Sequence, residues 1–274
     1  MGIEAFRFDG KRALVVGGAT GMGAAAVTIL KDLGAEQVVM DYADVKESGV
    51  QAIKVDLRDK ASVDAALAQA SGSFDVVLSC AGVADGTPGI EFVNFIAHKY
   101  MLEKLIDAGR INKGGAIGMI SSVAGLGWDA AVYEELVEYI NLPSWEAMGD
   151  YFKDHPDRAG YGWAKQAMCL YTESKAYEFG KKGIRINSIL PGPTDTPLAR
   201  ANADLWLGFA ADYRAELGIP ASTPEQQAYP LVFLCSQAAD HISGINIIVD
   251  AGYVSAGYTN TYAPASFIRM MMGR

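Results

Sequence analysis

Cysteine, histidine and positive charge are all in short supply in this chain. Three cysteines, Cys80, Cys169 and Cys235, stand far apart with no C-x-x-C pair. Neither a disulfide framework nor a zinc knuckle is therefore expected. The three histidines, His98, His155 and His241, show no ligand spacing and read as structural or solvated, so no metal site is expected. No apolar stretch reaches the roughly 18 residues that a membrane-crossing helix needs. Lys and Arg number 23 against 32 Asp and Glu, for a net charge of −9 and a pI near 4.9. With no dense basic run, the chain lacks the footprint of a nucleic-acid binder, and an anionic membrane would repel it as well. Residues 1–10 carry Glu4, Arg7 and Asp9 where a signal peptide needs an apolar core. Phe6 stands where a myristoylation signal wants Ser or Thr. A soluble, cytoplasmic protein is expected, and an enzyme acting on small molecules passes every one of these exclusions.

What is present is apolar surface in a regular rhythm. Half of the 274 residues are hydrophobic, a fifth are charged, and the mean hydropathy is +0.12. That is ample for a large core. Short β-branched runs alternate with longer helical patterns: residues 13–16, 37–41, 52–55, 75–79, 116–120, 184–189 and 245–249 read as seven strands. Continuous apolar strands separated by helices imply a parallel sheet covered on both faces. No linker, repeat or low-complexity segment interrupts the pattern. The expectation is one α/β domain over residues 1–274, with a Rossmann-like, doubly wound, seven-stranded parallel sheet. Ligands of such sheets bind beyond the carboxyl ends of the strands, where strand order reverses. The chemistry-bearing motifs should therefore follow strands, and they do.

Gly17, Gly18, Thr20, Gly21, Met22 and Gly23 join the first strand to the first helix. Glycines there allow a tight turn and let backbone approach a pyrophosphate, whose charge the helix N-terminus attracts. Asp41 closes the second strand, 24 residues after Gly17. A carboxylate there can accept both ribose hydroxyls of an adenosine and would repel a 2′-phosphate. Thr20 carries no charge, and Tyr42-Ala43 stands where a 2′-phosphate would want Arg, so NAD is favoured over NADP. Asp56, followed by Leu57, could accept from an adenine amino group. Cys80, Ala81 and Gly82 end the fourth strand with small residues that let a cofactor lie close.

Ser121-Ser122 ends the fifth strand, and Tyr161 and Lys165 lie four apart in a later helical stretch, on one face. A phenol of pKa near 10 is a poor base at neutral pH. A neighbouring ammonium favours the phenolate, moving the group towards useful acid-base catalysis. A nearby serine hydroxyl can hold a carbonyl or alcohol oxygen.

Together Gly17-x-x-x-Gly21-x-Gly23, Cys80-Ala81-Gly82, Ser122, Tyr161-x-x-x-Lys165 and residues 191–196 (PGPTDT) resemble the short-chain dehydrogenases/reductases over nearly the whole chain. The resemblance implies that Tyr161 is the acid/base, that Ser122 orients the reacting oxygen, and that Lys165 lowers the tyrosine pKa while holding the nicotinamide ribose. It implies that the Asn94 side chain supports a water in a proton relay. It also implies that Thr196 and the backbone around Pro191, Gly192 and Thr194 meet the nicotinamide carboxamide. Val16 departs from the family's usual Thr, and Ser79-Cys80 from its usual Asn pair.

Ser122 and Tyr161 are 39 residues apart, far more than is usual in the family. The insert, about 126–160, reads as two helices. Val132, Leu136, Tyr139 and Ile140 line one face, Trp145, Met148 and Phe152 another, and Ser144 is placed to cap the second. Glu134, Glu135 and Glu138 read as a solvated face. Such an insert resembles the subgroup containing bacterial 3α-hydroxysteroid dehydrogenase/carbonyl reductase and coniferyl-alcohol dehydrogenase. That resemblance implies NAD-dependent oxidation of a bulky apolar secondary alcohol, a hydroxysteroid first and an aromatic or terpenoid alcohol second, by a homo-oligomer (dimer or tetramer). A catalytically silent dinucleotide-binding sensor is the alternative of another class, disfavoured by the full set of Ser122, Tyr161 and Lys165. Trp145, Trp206 and Phe209 are the candidate substrate wall. Leu205, Trp206, Phe209 and Tyr213 fit a pocket cover and a core stripe equally well. The insert, and the apolar extension at about 255–274, are expected to pack on a neighbouring subunit or to reach the pocket.

Overall fold

Four consecutive residues of the first strand, Ala13 to Val16, are buried, which a strand achieves only when helices cover both faces of its sheet. Alternation settles which side each serves: Leu14 and Val16 enter one core, Ala13 and Val15 the other. The computed structural model describes residues 2–273; Met1 and Arg274, the last residue of the C-terminal extension, lie outside the described residues.

In chain order the elements are β1 (Arg12–Val16), α1 (Gly21–Asp32), β2 (Glu36–Asp41), β3 (Gln51–Lys54), α2 (Lys60–Gln69), β4 (Phe74–Ser79), α3 (Ala97–Asp107) and β5 (Ile111–Ile120). There follow α4 (Tyr133–Ile140), α5 (Trp145–Asp154), α6 (Tyr161–Gly180), β6 (Arg185–Pro191), α7 (Pro197–Arg200), α8 (Ala203–Trp206), α9 (Ala211–Leu217), α10 (Pro224–Cys235), β7 (Asn246–Val249), α11 (Tyr253–Tyr258) and α12 (Phe267–Met271). The seven strands form one sheet in the order β3-β2-β1-β4-β5-β6-β7, all parallel. Order reverses between β1 and β4, so the crevice beyond their carboxyl ends is the expected ligand position. Apolar residues of α1 and α10 fill one core; α2, α3 and α6 fill the other.

The insert forms its two helices as read, and Ser144 caps α5 by accepting from the Ala147 amide at 3.1 Å. Its apolar face is spent within its own chain: Leu136, Tyr139, Ile140, Trp145 and Met148 join the core around α3 and α6. Two readings are corrected here. Trp145 is not in the candidate pocket; it stacks on Phe92 with centroids 5.1 Å apart and meets Tyr100 edge-on. Glu135 is not simply solvated. It accepts from Nε and Nη2 of Arg158, at 3.0 and 2.8 Å, and from the Tyr151 hydroxyl at 2.7 Å, tying α4 to the chain beyond α5. The C-terminal extension also packs on its own chain, with Ala265 and Ile268 buried beside Leu126, Tyr253 and Val254.

Candidate active site

Two cavities adjoin at the crevice, the first of about 370 Å³ and the second of about 410 Å³. They share Met22, Cys80, Gly82, Thr196 and Leu198 in their walls, so they form one cleft with two ends.

The first end is shaped by the turn from β1 into α1. Gly17 has φ +88°, and a Cβ on it would stand 2.3 Å from the Ala81 amide nitrogen. A Cβ on Gly23 would stand 1.9 Å from the Gly17 carbonyl oxygen. Only glycine lets these three backbones meet. Asp41 secures the turn from the other side: its carboxylate accepts from the Ala19 amide and from the Ala43 amide, both at 2.8 Å. Its remaining lone pairs are available where it lines the cavity, along with Thr20, Gly21, Asp56, Leu57, Ala81 and Gly82. A narrow backbone-lined channel at a helix N-terminus, with a carboxylate at its far end, fits a dinucleotide.

Sequence reasoning missed Arg58 at this end. Its guanidinium grips the Asp56 carboxylate at 2.8 and 2.7 Å and lies 5.4 Å from the centre of the Tyr42 ring. Asp56 is therefore an ion-paired acceptor rather than a free one. The close spacing of Asp56 and Arg58 was the signal available for it.

The second end gathers Ser122 from the end of β5, Tyr161 and Lys165 from the first turns of α6, and Pro191, Gly192, Thr194 and Thr196 from the chain after β6. Ser122 Oγ accepts from the Ala124 amide at 3.1 Å, which leaves its own proton free to donate elsewhere. Thr196 Oγ1 caps α7 by accepting from the Ala199 amide at 3.1 Å. The Lys165 ammonium is buried, lies 5.4 Å from the centre of the Tyr161 ring, and donates to the Ile120 carbonyl at 2.8 Å. Leu126, Leu198, Leu205, Trp206 and Phe209 make the wall apolar, Trp206 with its ring 4.9 Å from that of Tyr161. Tyr213 is not part of this wall; it packs on Tyr253 and Tyr262.

Asp85 went unnoticed because 76 residues separate it from its partner. Gly160 offers α6 no side-chain cap, and Asp85 Oδ1 accepts from the Tyr161 amide at 2.7 Å instead. A carboxylate there complements the N-terminal charge of a 20-residue helix. It also ties the loop after β4 to the turn that carries Tyr161.

Two of the expected site residues sit in surroundings that the sequence did not convey. Asn94 lines neither cavity; it is fully buried, accepting from the Val83 amide at 2.8 Å and donating to the Val83 carbonyl at 2.9 Å. Its amide thereby orders the loop after β4. It lies in a π-helical turn, Phe92–Ile96, ahead of α3. The Tyr161 phenol is governed first by its burial. Burial pushes that phenol up to about 12, with the Ser122 hydroxyl acting in the opposite direction and Asp85 adding to the rise. Burial meanwhile brings Lys165 down to about 8, because its ammonium is held in apolar surroundings against a neutral carbonyl. Burial likewise holds His98 at about 4, a neutral ring bonded to the Ala81 carbonyl at 3.0 Å.

The Lys165 shift has a consequence for stability. Below about pH 8 the folded protein keeps a buried ammonium, a constant penalty. As pH rises from about 8 towards the unfolded value of 10.5, the folded lysine loses its proton first and the penalty fades. Lys165→Met should therefore raise the unfolding midpoint of the ligand-free protein at pH 7, and the gain should shrink above pH 10. Thermal denaturation of both proteins across that range checks it; a destabilised variant at pH 7 would contradict it.

A doubly wound sheet with a dinucleotide-shaped channel running into an apolar, tyrosine-bearing chamber defines a nicotinamide-dinucleotide oxidoreductase. The chain belongs to the short-chain dehydrogenase/reductase family: the family model described as enoyl-(acyl carrier protein) reductase matches residues 17–254. It is similar to the coniferyl-alcohol dehydrogenase of Pseudomonas sp. (strain HR199), 27% identical over 253 residues that cover 89% of this chain and 97% of that one. It is equally similar to the 3-alpha-hydroxysteroid dehydrogenase/carbonyl reductase of Comamonas testosteroni, 28% identical over 246 residues covering 87% and 95%. The crystal structure of the 3-alpha-hydroxysteroid dehydrogenase from Pseudomonas sp. B-0831, complexed with NADH, shares the fold, with a TM-score of 0.72 at 22% identity over 92% of this chain and 99% of that one.

Proposed function

We propose that the protein is an NAD-dependent dehydrogenase of bulky, mainly apolar alcohols, hydroxysteroids first among them, and that it reduces the corresponding ketones. One observation carries the reading: Ser122, Tyr161 and Lys165 line the same chamber, otherwise walled by apolar side chains, and that chamber opens into the dinucleotide channel. A bound nicotinamide dinucleotide supplies or accepts the hydride. The protein's part is to position the reacting carbon and handle the proton. The Ser122 hydroxyl holds the substrate oxygen. Tyr161 takes the hydroxyl proton during oxidation and returns it during reduction. With a pKa near 12 in the ligand-free protein, its phenol is protonated at neutral pH and ready to act as the acid. The Lys165 ammonium, on the same helix face, favours the phenolate once the proton arrives elsewhere. The apolar wall keeps water from competing.

The relatives' activities support a choice between two substrate classes, a hydroxysteroid and an aromatic alcohol. The depth of apolar lining favours the larger. Following the reduced-nicotinamide absorbance with a panel of 3α-hydroxysteroids, coniferyl alcohol, terpenoid alcohols and small alcohols tests this; no turnover of any member would refute it. The family resemblance further supports a cytoplasmic homo-oligomer, dimer or tetramer.

Asp41 supports NAD over NADP, because a carboxylate repels a 2′-phosphate. Arg58 does not reverse this, since its charge is already matched by Asp56. Asp41→Ala should weaken NAD by about tenfold and narrow the preference over NADP by more than that. Dissociation constants for the two dinucleotides measure it, and an unchanged ratio would count against the role.

A further inference from the structure

Two stretches flank the second cavity: the insert after Ser122 and the extension after Val254. The structure brings one end of each together. Gly127, at φ +80°, lies under the Met271 carbonyl so closely that a Cβ there would stand 2.1 Å from that oxygen. A Cβ on Gly273 would likewise stand 2.9 Å from the Ala130 Cβ. The extension reaches this seat by a close crossing, since a Cβ on Gly257 would stand 2.3 Å from the Ala265 carbonyl oxygen. The short helix α12 is thus pinned from both sides, by buried Ala265 and Ile268 and by the backbone of the insert.

From that position α12 turns Phe267, Ile268 and Met271 into the wall of the second cavity. It contributes no ionisable group there; its arginine, Arg269, is not in the lining. Ile268 is spent on the core, but Phe267 remains 39% exposed and Met271 42% exposed. Large apolar side chains left half open at the edge of an apolar chamber offer surface that a ligand would cover.

We propose that α12 is the specificity wall of the acceptor chamber: Phe267 and Met271 recognise the apolar body of the substrate, and the seat of Met271 on Gly127 fixes the width of the chamber. The chemistry at the reacting carbon rests on the function proposed above; the recognition by α12 does not depend on it. The test uses the full chain loaded with NAD, the variants Phe267→Ala and Met271→Ala, and a truncation ending at Ser266. Each is titrated with androsterone, a 3α-hydroxysteroid, by tryptophan fluorescence, to which Trp206 in the chamber wall contributes. Oxidation of the same compound is followed in parallel, and the dissociation constant for NAD reports an intact fold.

Androsterone should bind about threefold more weakly to each alanine variant and about tenfold or more weakly to the truncation, with NAD affinity held within about twofold. Unchanged androsterone affinity in a truncation that still binds NAD overturns the proposal. If the truncation does not fold, unchanged affinity in both alanine variants overturns it on the same terms. So does the absence of saturable binding to the full chain. Saturable binding without oxidation, weakened by the variants, leaves the wall standing and removes the proposed chemistry. Oxidation with unaltered binding does the reverse.

Discussion

Tyr161→Phe should lower turnover by about a thousandfold or more while leaving the dissociation constant for NAD within about twofold. The substitution removes one oxygen and leaves the ring that packs at 4.9 Å from Trp206. The wall of the chamber is therefore preserved, and the Tyr161 amide can still donate to Asp85. What disappears is the group proposed to exchange the substrate's proton. Wild-type oxidation should rise with pH, because the phenolate is the proposed base and burial holds the phenol protonated. The residual activity of the variant should lose that rise. Single-turnover absorbance across the pH range separates the two effects, and activity within tenfold of wild type would remove Tyr161 from the chemistry.

The second large effect is at Gly23. Its α-carbon hydrogen faces the Gly17 carbonyl, and a Cβ would stand 1.9 Å from that oxygen. The obstacle is the Gly17 backbone, with the Cys80 Cβ 3.1 Å from the added atom, so no side chain can rotate away. Gly23→Ala should destabilise the fold by about 2–4 kcal/mol and weaken NAD by at least about tenfold, since the turn must open to admit a methyl group. Gly180→Ala is the matched control. It closes α6 with nothing within 4 Å of the added atom, and its φ is not positive. That change should be neutral or stabilising by a few tenths of a kcal/mol, as expected when glycine is removed from a helix end. Urea denaturation with and without NAD measures both. Equal stability losses at the two positions would contradict the packing described for the turn.

The strands were readable because burial on both faces leaves continuous β-branched runs, a pattern few other elements produce. The exception is the start of β5. Ile111 pairs with Phe74 of β4, the register then shifts, and pairing with β6 begins only at Ala116; the stretch between is polar and glycine-bearing, and no apolar run announces it. Tyr161 and Lys165 were legible through helical spacing, and Gly17, Gly21 and Gly23 through their place after β1.

Trp145 misled for a physical reason. An aromatic at helical spacing reports that a face is buried, not what buries it, and here Phe92 and Tyr100 do. Asn94 was found by position, yet the use of its amide depends on where the Val83 backbone runs. Asp85 and the seat of Met271 on Gly127 belong to loops and chain ends brought together only by the fold. No local periodicity encodes such meetings.

If the cleft works as proposed, it moves a hydride between an alcohol carbon and a nicotinamide. The direct test incubates the wild-type protein with NAD and an alcohol from the panel deuterated at its carbinol carbon, followed by nuclear magnetic resonance of the recovered dinucleotide. Deuterium on the nicotinamide ring, stoichiometric with ketone formed and absent with Tyr161→Phe, is the result expected. Ketone formed with the label released to water, or no ketone from any alcohol tried, would contradict it.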